Sequence, residues 1–417
     1  MKTLKLTTLF VILAMLMSVV AYAESCSETC ASTIKVTGES RYRIQMDGPG
    51  FYDFDSDTDP TWYSQMRTRI GVKAMVADNM GVFAQFQDTR YIGSVDPALL
   101  VDPLLDLHQG YMWYKPCEKS WFKLGRFEMS MHNERLIGAA DWSMYGQAFE
   151  GLMFGRQLGE NMKATAWATK DYESFDLYND VEGDPAGDDM FYGLNFSFLN
   201  KGVDLFAFMN KAYAIDFDGN GSSDGDATLM TLGAYSQRTF AENFDYDAMV
   251  ALQSGTFDDG TTEVDLSGML MYAEVGYTMS NGFRLAGLVD YTTGDDATTN
   301  DKVENFNNLY FTQHKFYGAM DLFGEGSAHG IMDIALRGMY PINDSWKLMG
   351  DFHSFANVED RASGETALGT EIDLSGKYVD GGFAWQTGLS MFSASEDWKG
   401  ANADSQNWLY TQATMSF

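Results

Sequence analysis

Apolar and polar residues alternate strictly along several segments of this chain of 417 residues. In residues 34–46, side chains such as Val36 occupy an apolar face and side chains such as Arg43 occupy a polar face. The same period of two recurs in residues 65–76 and 368–378. Because successive side chains of a strand point to opposite faces, each segment predicts a strand with one face in an apolar medium and the other in water.

Short and long connections alternate between these segments. Eight tight turns lie near residues 78–80, 116–119, 158–161, 200–202, 241–243, 280–282, 343–345 and 380–382. Nine long acidic loops lie near residues 47–60, 94–104, 129–145, 173–188, 215–226, 256–264, 294–328, 357–366 and 394–404. A soluble β-sandwich also alternates apolar and polar residues, but short turns at one end and long loops at the other are typical of an outer-membrane barrel.

The connections predict an all-β fold, a transmembrane antiparallel β-barrel with short periplasmic turns and long extracellular loops. Eight turns and nine loops join 18 strands, and this even number places both chain ends on the short-turn side. The alternative is a further strand at 313–323, which would need one more break nearby. The barrel is expected to occupy residues 32–417.

The first 23 residues are expected to be a secretory signal peptide. Lys2 and Lys5 precede a short apolar run, and Ala21-Tyr22-Ala23 forms a small-x-small cleavage site. A membrane anchor is the alternative, although the apolar run is short for a membrane span. Residues 24–31 would then form a periplasmic N-terminal segment.

Composition argues against one class of partner and supports the prediction of a strand-rich fold. The formal net charge of −31 argues against nucleic acid, because phosphate must be met by Lys and Arg. The chain has 41 Gly and only 7 Pro, with 14% aromatic residues, as expected of strands joined by turns. Cys26, Cys30 and Cys117 leave open one disulfide with a free thiol, or three free thiols.

The last strand carries a terminal signal. The chain ends in WLYTQATMSF, with Leu409, Ala413, Met415 and Phe417 on one face. This ending resembles the C-terminal strand of bacterial outer-membrane barrels, whose last aromatic residue is read by the barrel assembly machinery. The expected location is the bacterial outer membrane, and the expected partners also include its lipid and lipopolysaccharide.

Basic residues are concentrated in the first third of the chain. Eight of the twelve arginines lie between Arg41 and Arg156. The alternation places Arg41, Arg43, Arg67 and Arg69 on the polar faces of two neighbouring strands, where they would form a cationic ladder that favours anions. The candidate anion path comprises Lys35, Arg41, Arg43, Arg67, Arg69, Lys73, Arg126 and Arg135. The alternative is that wall acids such as Glu39 neutralise the arginines in a structural network.

Two patches resemble a known family. The patches are LGRFEMSMHNERLIGAADWSMYGQAFEGLMF at 124–154 and LYFTQHKFYGAMDLF at 309–323. They are similar to two signatures of the alginate-export family of outer-membrane proteins and occur in the same order as in that family. The motif residues of interest are Glu128, Asp141, Trp142, His314 and Asp321. The resemblance implies an 18-stranded barrel that passes anionic polysaccharide or other anions along an arginine-lined path. We expect Asp141 and Trp142 to anchor the loop, with contact to cargo as the alternative.

A metal site and an enzyme are the remaining possibilities. DFDGNGSSDGD at 216–226 matches part of a calcium loop through Asp216, Asp218, Asn220 and Asp224, but the bidentate Glu at the end is replaced by Ala227. A solvated acidic loop is preferred to weak calcium binding, and no other cofactor is expected. The chain lacks His-Glu-x-x-His and Gly-x-Ser-x-Gly motifs, so a passive porin is preferred to an enzymatic, structural or adhesive barrel with a closed lumen.

Overall fold

The computed structural model describes residues 33–48, 61–92, 105–172, 189–215, 225–258, 260–296, 301–323, 328–360, 364, 366–400 and 405–417. The predicted signal peptide, the segment 24–31 with Cys26 and Cys30, and the four calcium-loop candidates from Asp216 to Asp224 lie outside these residues. Cys117 is described and is a free, exposed thiol at the end of a strand, next to a short turn.

The described residues form nineteen strands. Their bounds are β1 Thr33–Gly48, β2 Thr61–Ala77, β3 Met80–Tyr91, β4 Asp106–Cys117, β5 Ser120–Phe127, β6 Phe149–Leu158, β7 Met162–Tyr172, β8 Asp189–Phe198, β9 Val203–Ile215, β10 Gly225–Phe240, β11 Phe244–Asp258, β12 Glu263–Thr278, β13 Arg284–Thr292, β14 Lys302–Val303, β15 Ile331–Pro341, β16 Trp346–Ala356, β17 Ala367–Asp380, β18 Phe383–Ala394 and β19 Gln406–Ser416. All except β14, a two-residue strand parallel to β12, belong to one antiparallel wall.

The wall closes on itself because β1 pairs with both β2 and β19. Arg41 lies opposite Arg67 on one side and opposite Thr414 on the other. Closure leaves no unpaired sheet edge among the described wall strands, and lipid would not tolerate such an edge. The prediction of an 18-stranded antiparallel barrel is therefore confirmed. The segment 313–323 lies in a long connection and contains one turn of 3₁₀ helix, Gln313–Lys315, so the alternative of a further barrel strand there is wrong.

The two chain ends of the barrel meet on the side of the short turns. Gly38 and Phe417 exchange two backbone hydrogen bonds of 3.0 Å, which joins the start of β1 to the end of β19. A single helical turn, Glu396–Lys399, follows β18. No helix in the described part of the chain is long and apolar enough to cross a membrane.

Apolar side chains cover the outside of the wall. Ile34, Leu252 and Leu336 are 70%, 59% and 57% exposed, while the residues beside them in sequence face inward. A band of exposed apolar side chains around a closed barrel is the surface that hydrocarbon solvates. The buried apolar residues instead lie inside the barrel, where Phe127, Leu136, Ile137 and Tyr317 are at most 1% exposed.

Two long connections create this interior core. We call residues 128–148, between β5 and β6, the first inner loop, and residues 304–323, between β14 and β15, the second inner loop. They pair with each other: Tyr310 donates its N–H to the Leu136 carbonyl at 2.9 Å, and Gly138 donates to the Tyr310 carbonyl at 2.9 Å. The lumen is therefore narrowed by ordered backbone as well as by wall side chains.

Candidate functional site

The ladder arginines project into the barrel on two adjacent strands. Arg41 lies opposite Arg67, and Arg69 lies opposite Glu39. All four guanidinium-bearing residues, Arg41, Arg43, Arg67 and Arg69, are at most 5% exposed, because the first inner loop covers them. The alternation of residues in β1 and β2 predicted that these arginines face inward. It could not predict that the first inner loop covers them, because that loop is distant in sequence.

Asp141 of the first inner loop reaches three of these arginines. Its carboxylate oxygens lie 2.9 Å from Arg41 Nη2, 2.7 Å from Arg67 Nη2 and 3.3 Å from Arg69 Nη1. Burial alone would raise the pKa of Asp141, but the positive charges of Arg67 and Arg41 outweigh burial and hold the pKa below its ordinary value. Asp141 is therefore a carboxylate over the whole physiological pH range.

Two further acids share the arginine cluster. Glu39 Oε1 accepts from Arg67 Nη2 at 2.6 Å, and Glu128 Oε1 lies 3.2 Å from Arg69 Nη1. Glu128 also lies 2.7 Å from His108 Nε2. We define the arginine cage as Arg41, Arg43, Arg67 and Arg69 with the two acids Glu39 and Glu128, and Asp141 of the first inner loop occupies this cage. The wall acid Glu39 thus neutralises part of the ladder, as the structural alternative required.

Trp142 lies between the cage and the second inner loop. Its ring stacks on His314 with centroids 3.9 Å apart, and the Arg43 guanidinium carbon lies 3.9 Å from the ring centroid. His314 Nδ1 in turn lies 2.9 Å from Asp321 Oδ2. The structure therefore brings together all five motif residues of the two patches, Glu128, Asp141, Trp142, His314 and Asp321, on the two inner loops.

Arg135 and Arg126 lie away from the cage. Arg135 is fully buried and forms a bidentate pair with Asp290 of β13 at 2.7 and 3.1 Å, so it attaches the first inner loop to the opposite wall. Arg126 pairs with Glu150 at 2.7 Å. Arg126 faces outward because its neighbour Phe127 faces the lumen, whereas Glu128, the first residue after β5, lies inside because it contacts Arg69 and His108. These contacts resolve the ambiguity that Gly125 leaves in the sequence.

The walls of the lumen carry opposite charges. Strands β11 to β17 present inward acids, namely Asp247, Glu274, Asp290, Asp333, Asp351, Glu371 and Asp373, accompanied by Arg284, Arg337 and His353. The first inner loop matches this asymmetry, because its Arg135 binds the acidic wall and its Asp141 binds the arginine cage. The loop therefore lies across the lumen with one charged contact at each wall.

Lysines line the barrel on the periplasmic side of the cage. Lys35 lies opposite Lys73, and Lys347 lies opposite Lys377. Each is six residues from an inward residue of the same strand (Arg41, Arg67, His353 and Glu371), so all four side chains face the lumen. The first pair was predicted. Lys347 and Lys377 were missed, although the alternation in 368–378 already placed Lys377 on the polar face.

A cavity of about 410 Å³ lies beside the cage. Its polar lining includes Arg43, Gln45 and Gln65, and the inner loops contribute Trp142 and His314. Guanidinium and amide groups next to aromatic rings can donate to carboxylate and hydroxyl oxygens. The cavity is therefore chemically suited to a small polar ligand.

Among the described residues, one cluster of carboxylates meets the distance requirement for a metal. Carboxylate oxygens of Asp295, Asp296 and Glu304 lie within 4.8 Å of one another in the long connection after β13. Glu304 is also paired with Lys302, which supplies a positive charge without a metal. The partial calcium-loop match at Asp216, Asp218, Asn220 and Asp224, for which a solvated acidic loop was the preferred prediction, lies outside the described residues.

Comparison with known proteins relates this architecture to outer-membrane barrels. A family model described as alginate export matches residues 34–386. The outer membrane protein opdK of Pseudomonas aeruginosa has a TM-score of 0.62 at 10% identity, with coverage of 92% of this chain and 98% of opdK. OccK5 (OpdH) of the same organism gives 0.60 at 14% identity, with 92% and 98% coverage. OccAB2 of Acinetobacter baumannii gives 0.62 at 11% identity, with 92% and 98% coverage. At these identities the structures show a shared fold. No curated protein matches the chain.

Proposed function

From the premise that this chain belongs to the alginate export family, we propose that its lumen passes anions or anionic saccharides. The protein is a porin-type channel of the bacterial outer membrane, and the barrels it resembles are channels rather than enzymes. The proposal concerns the selectivity of that channel. It rests on the distribution of positive charge along the lumen.

The two lysine pairs carry the proposal. Lys35 faces Lys73 across β1 and β2, and Lys347 faces Lys377 across β16 and β17. Like charges directly opposite each other destabilise a sheet, so folding stability alone does not favour two such pairs. Positive side chains along a water-filled path attract anions, and this provides a reason for their position.

The arginine cage extends the positive path toward the extracellular side. Four guanidinium groups there meet the three carboxylates of Glu39, Glu128 and Asp141, which leaves an excess of positive charge. The adjoining cavity adds the amides of Gln45 and Gln65, which suit the hydroxyl groups of a saccharide. An anionic saccharide that moves along the lumen would therefore contact both the positive side chains and the neighbouring amide groups.

Reversal potential in planar bilayers tests the proposal. Under a salt gradient, the wild-type channel is expected to prefer anions, and Lys35→Gln/Lys73→Gln is expected to shift the reversal potential toward cation preference. The matched control is Lys119→Gln/Lys201→Gln, which removes the same charge from exposed short-turn positions. A cation-selective wild-type channel would overturn the proposal.

The alternative is a barrel closed by its inner loops, with a structural or adhesive role. The pairing of the two inner loops across the lumen favours this alternative. Single-channel recording of the same samples separates the two cases, because a closed barrel would show no conductance at any salt concentration.

A further inference from the structure

The carboxylate of Asp141 stands between the lumen and the arginine cage. The Asp141 side chain is 58% exposed, whereas the side chains of Arg41, Arg67 and Arg69 are 0–6% exposed. An anion that approaches this part of the lumen therefore meets the Asp141 carboxylate before it reaches the guanidinium groups of Arg41, Arg67 and Arg69. The cage is occupied by a carboxylate that belongs to the chain itself.

The backbone of the first inner loop is held independently of this carboxylate. Arg41 Nη1 donates to the Asp141 carbonyl at 2.5 Å, and Arg67 Nη1 donates to the Ser143 carbonyl at 3.0 Å. Arg43 Nη2 donates to the Trp142 carbonyl at 2.6 Å, and the Trp142 ring lies between Arg43 and His314. The Asp141 side chain can therefore rotate away while the loop backbone stays in place.

Rotation of Asp141 changes the charge of the cage. With Asp141 in place, four arginines face three carboxylates; without it, they face only Glu39 and Glu128. The exposed side of the cage would then offer Nη groups of Arg41, Arg67 and Arg69 to another carboxylate, which guanidinium groups bind through charge-assisted hydrogen bonds.

We propose that Asp141 is a tethered competitor: its carboxylate fills the cage when the channel is empty and exchanges with the carboxylate of an entering anion. This inference rests on the proposed function and identifies the residue that limits the affinity of the arginine cage for an entering anion. A tethered group competes at a high effective concentration, so it weakens the hold of the cage on a free anion. Conduction requires such weak holding, because an ion that binds too tightly does not leave.

Block of the conductance by galacturonate tests the proposal. Galactose, which has the same sugar ring without the carboxylate, is the neutral comparison. Asp141→Ala removes the competitor and is expected to lower the half-blocking concentration of galacturonate by about tenfold or more. Galactose is expected to act equally on both proteins. Asp141→Asn, which keeps the shape of the side chain, is expected to shift the galacturonate value in the same direction. Glu150→Ala is the matched control, because it removes an acid from the outward face.

Each outcome has a distinct meaning. If both Asp141 variants fold and conduct but bind galacturonate no more tightly than wild type, the competitor role is wrong while anion selectivity stands. If galactose block changes in parallel, the substitution has widened the lumen and the competitor role is again wrong. If the wild-type channel prefers cations or does not conduct, the proposed function fails first. Should Asp141→Ala not fold, the Asp141→Asn result decides.

Discussion

At the scale of single residues, burial separates two arginine pairs that look alike in the sequence. Arg126 and Arg135 both belong to the motif at 124–154, and both pair with an acid. The Arg135 and Asp290 side chains are 0% and 1% exposed, whereas those of Arg126 and Glu150 are 32% and 61% exposed. An exposed pair is solvated in either state, but a buried carboxylate without its partner is not.

Arg135→Gln is therefore expected to destabilise the protein by about 3–5 kcal/mol, because it leaves Asp290 buried without a counter-charge. Arg126→Gln is the control and is expected to cost about 0–1 kcal/mol. Urea unfolding of the refolded barrel, followed by tryptophan fluorescence, measures both changes. Equal losses in the two variants would show that burial does not set the strength of these pairs. The double variant Arg135→Gln/Asp290→Asn should recover part of the loss, since it removes the unpaired charge.

At the scale of elements, the inner loops mark the limit of prediction from sequence. The interruption at 129–145 predicted a loop, and its family motif suggested that Asp141 and Trp142 hold it. The partners of those residues could not be predicted, because Asp141 binds Arg41 from 100 residues away and Arg135 binds Asp290 from 155 residues away. Such contacts follow from how the closed wall places its faces. Alternation within one strand carries no information about them.

The pairing of the two inner loops depends on a glycine. A Cβ added to Gly138 would lie 2.0 Å from Thr312 Oγ1 and 2.9 Å from the Glu134 Cβ, so Gly138→Ala must displace Thr312 of the second inner loop, Glu134 of the first, or both. We expect faster proteolysis within 128–148 and a larger single-channel conductance, with unchanged strand content by circular dichroism. Gly376→Ala in β17 is the control, since its Cβ would make one ordinary contact of 3.5 Å with Leu348. Unchanged proteolysis in Gly138→Ala would contradict this account of the loop pairing.

At the scale of the whole molecule, the sequence predicts the wall far better than the lumen. Period two and connector lengths are local signals, and they gave the strand number, the two ends of the barrel and the inward faces of Arg41 and Arg67. The lumen is divided into an arginine-rich wall and an acidic wall, and only the arginine-rich wall was predicted from the sequence. The basic strands are consecutive in the chain and were recognised, whereas acids such as Asp290 and Glu371 lie among long acidic loops that mask their inward position.

The terminal residue Phe417 allows a role in barrel assembly to be tested separately from a role in the stability of the barrel. The Phe417 side chain lies on the outer face with the residue 78% exposed, and its backbone already bonds to Gly38. Phe417→Ala keeps those backbone bonds, so unaided refolding in detergent should proceed as in wild type, with a stability change below about 1 kcal/mol. In cells, if the assembly machinery reads the terminal aromatic ring, the variant should give severalfold less folded barrel, measured as the heat-modifiable band. Met415→Ala is the control, because Met415 is 59% exposed on the same face but is not terminal. Equal losses for Phe417→Ala in cells and in detergent would assign the ring a role in stability and remove the argument for recognition.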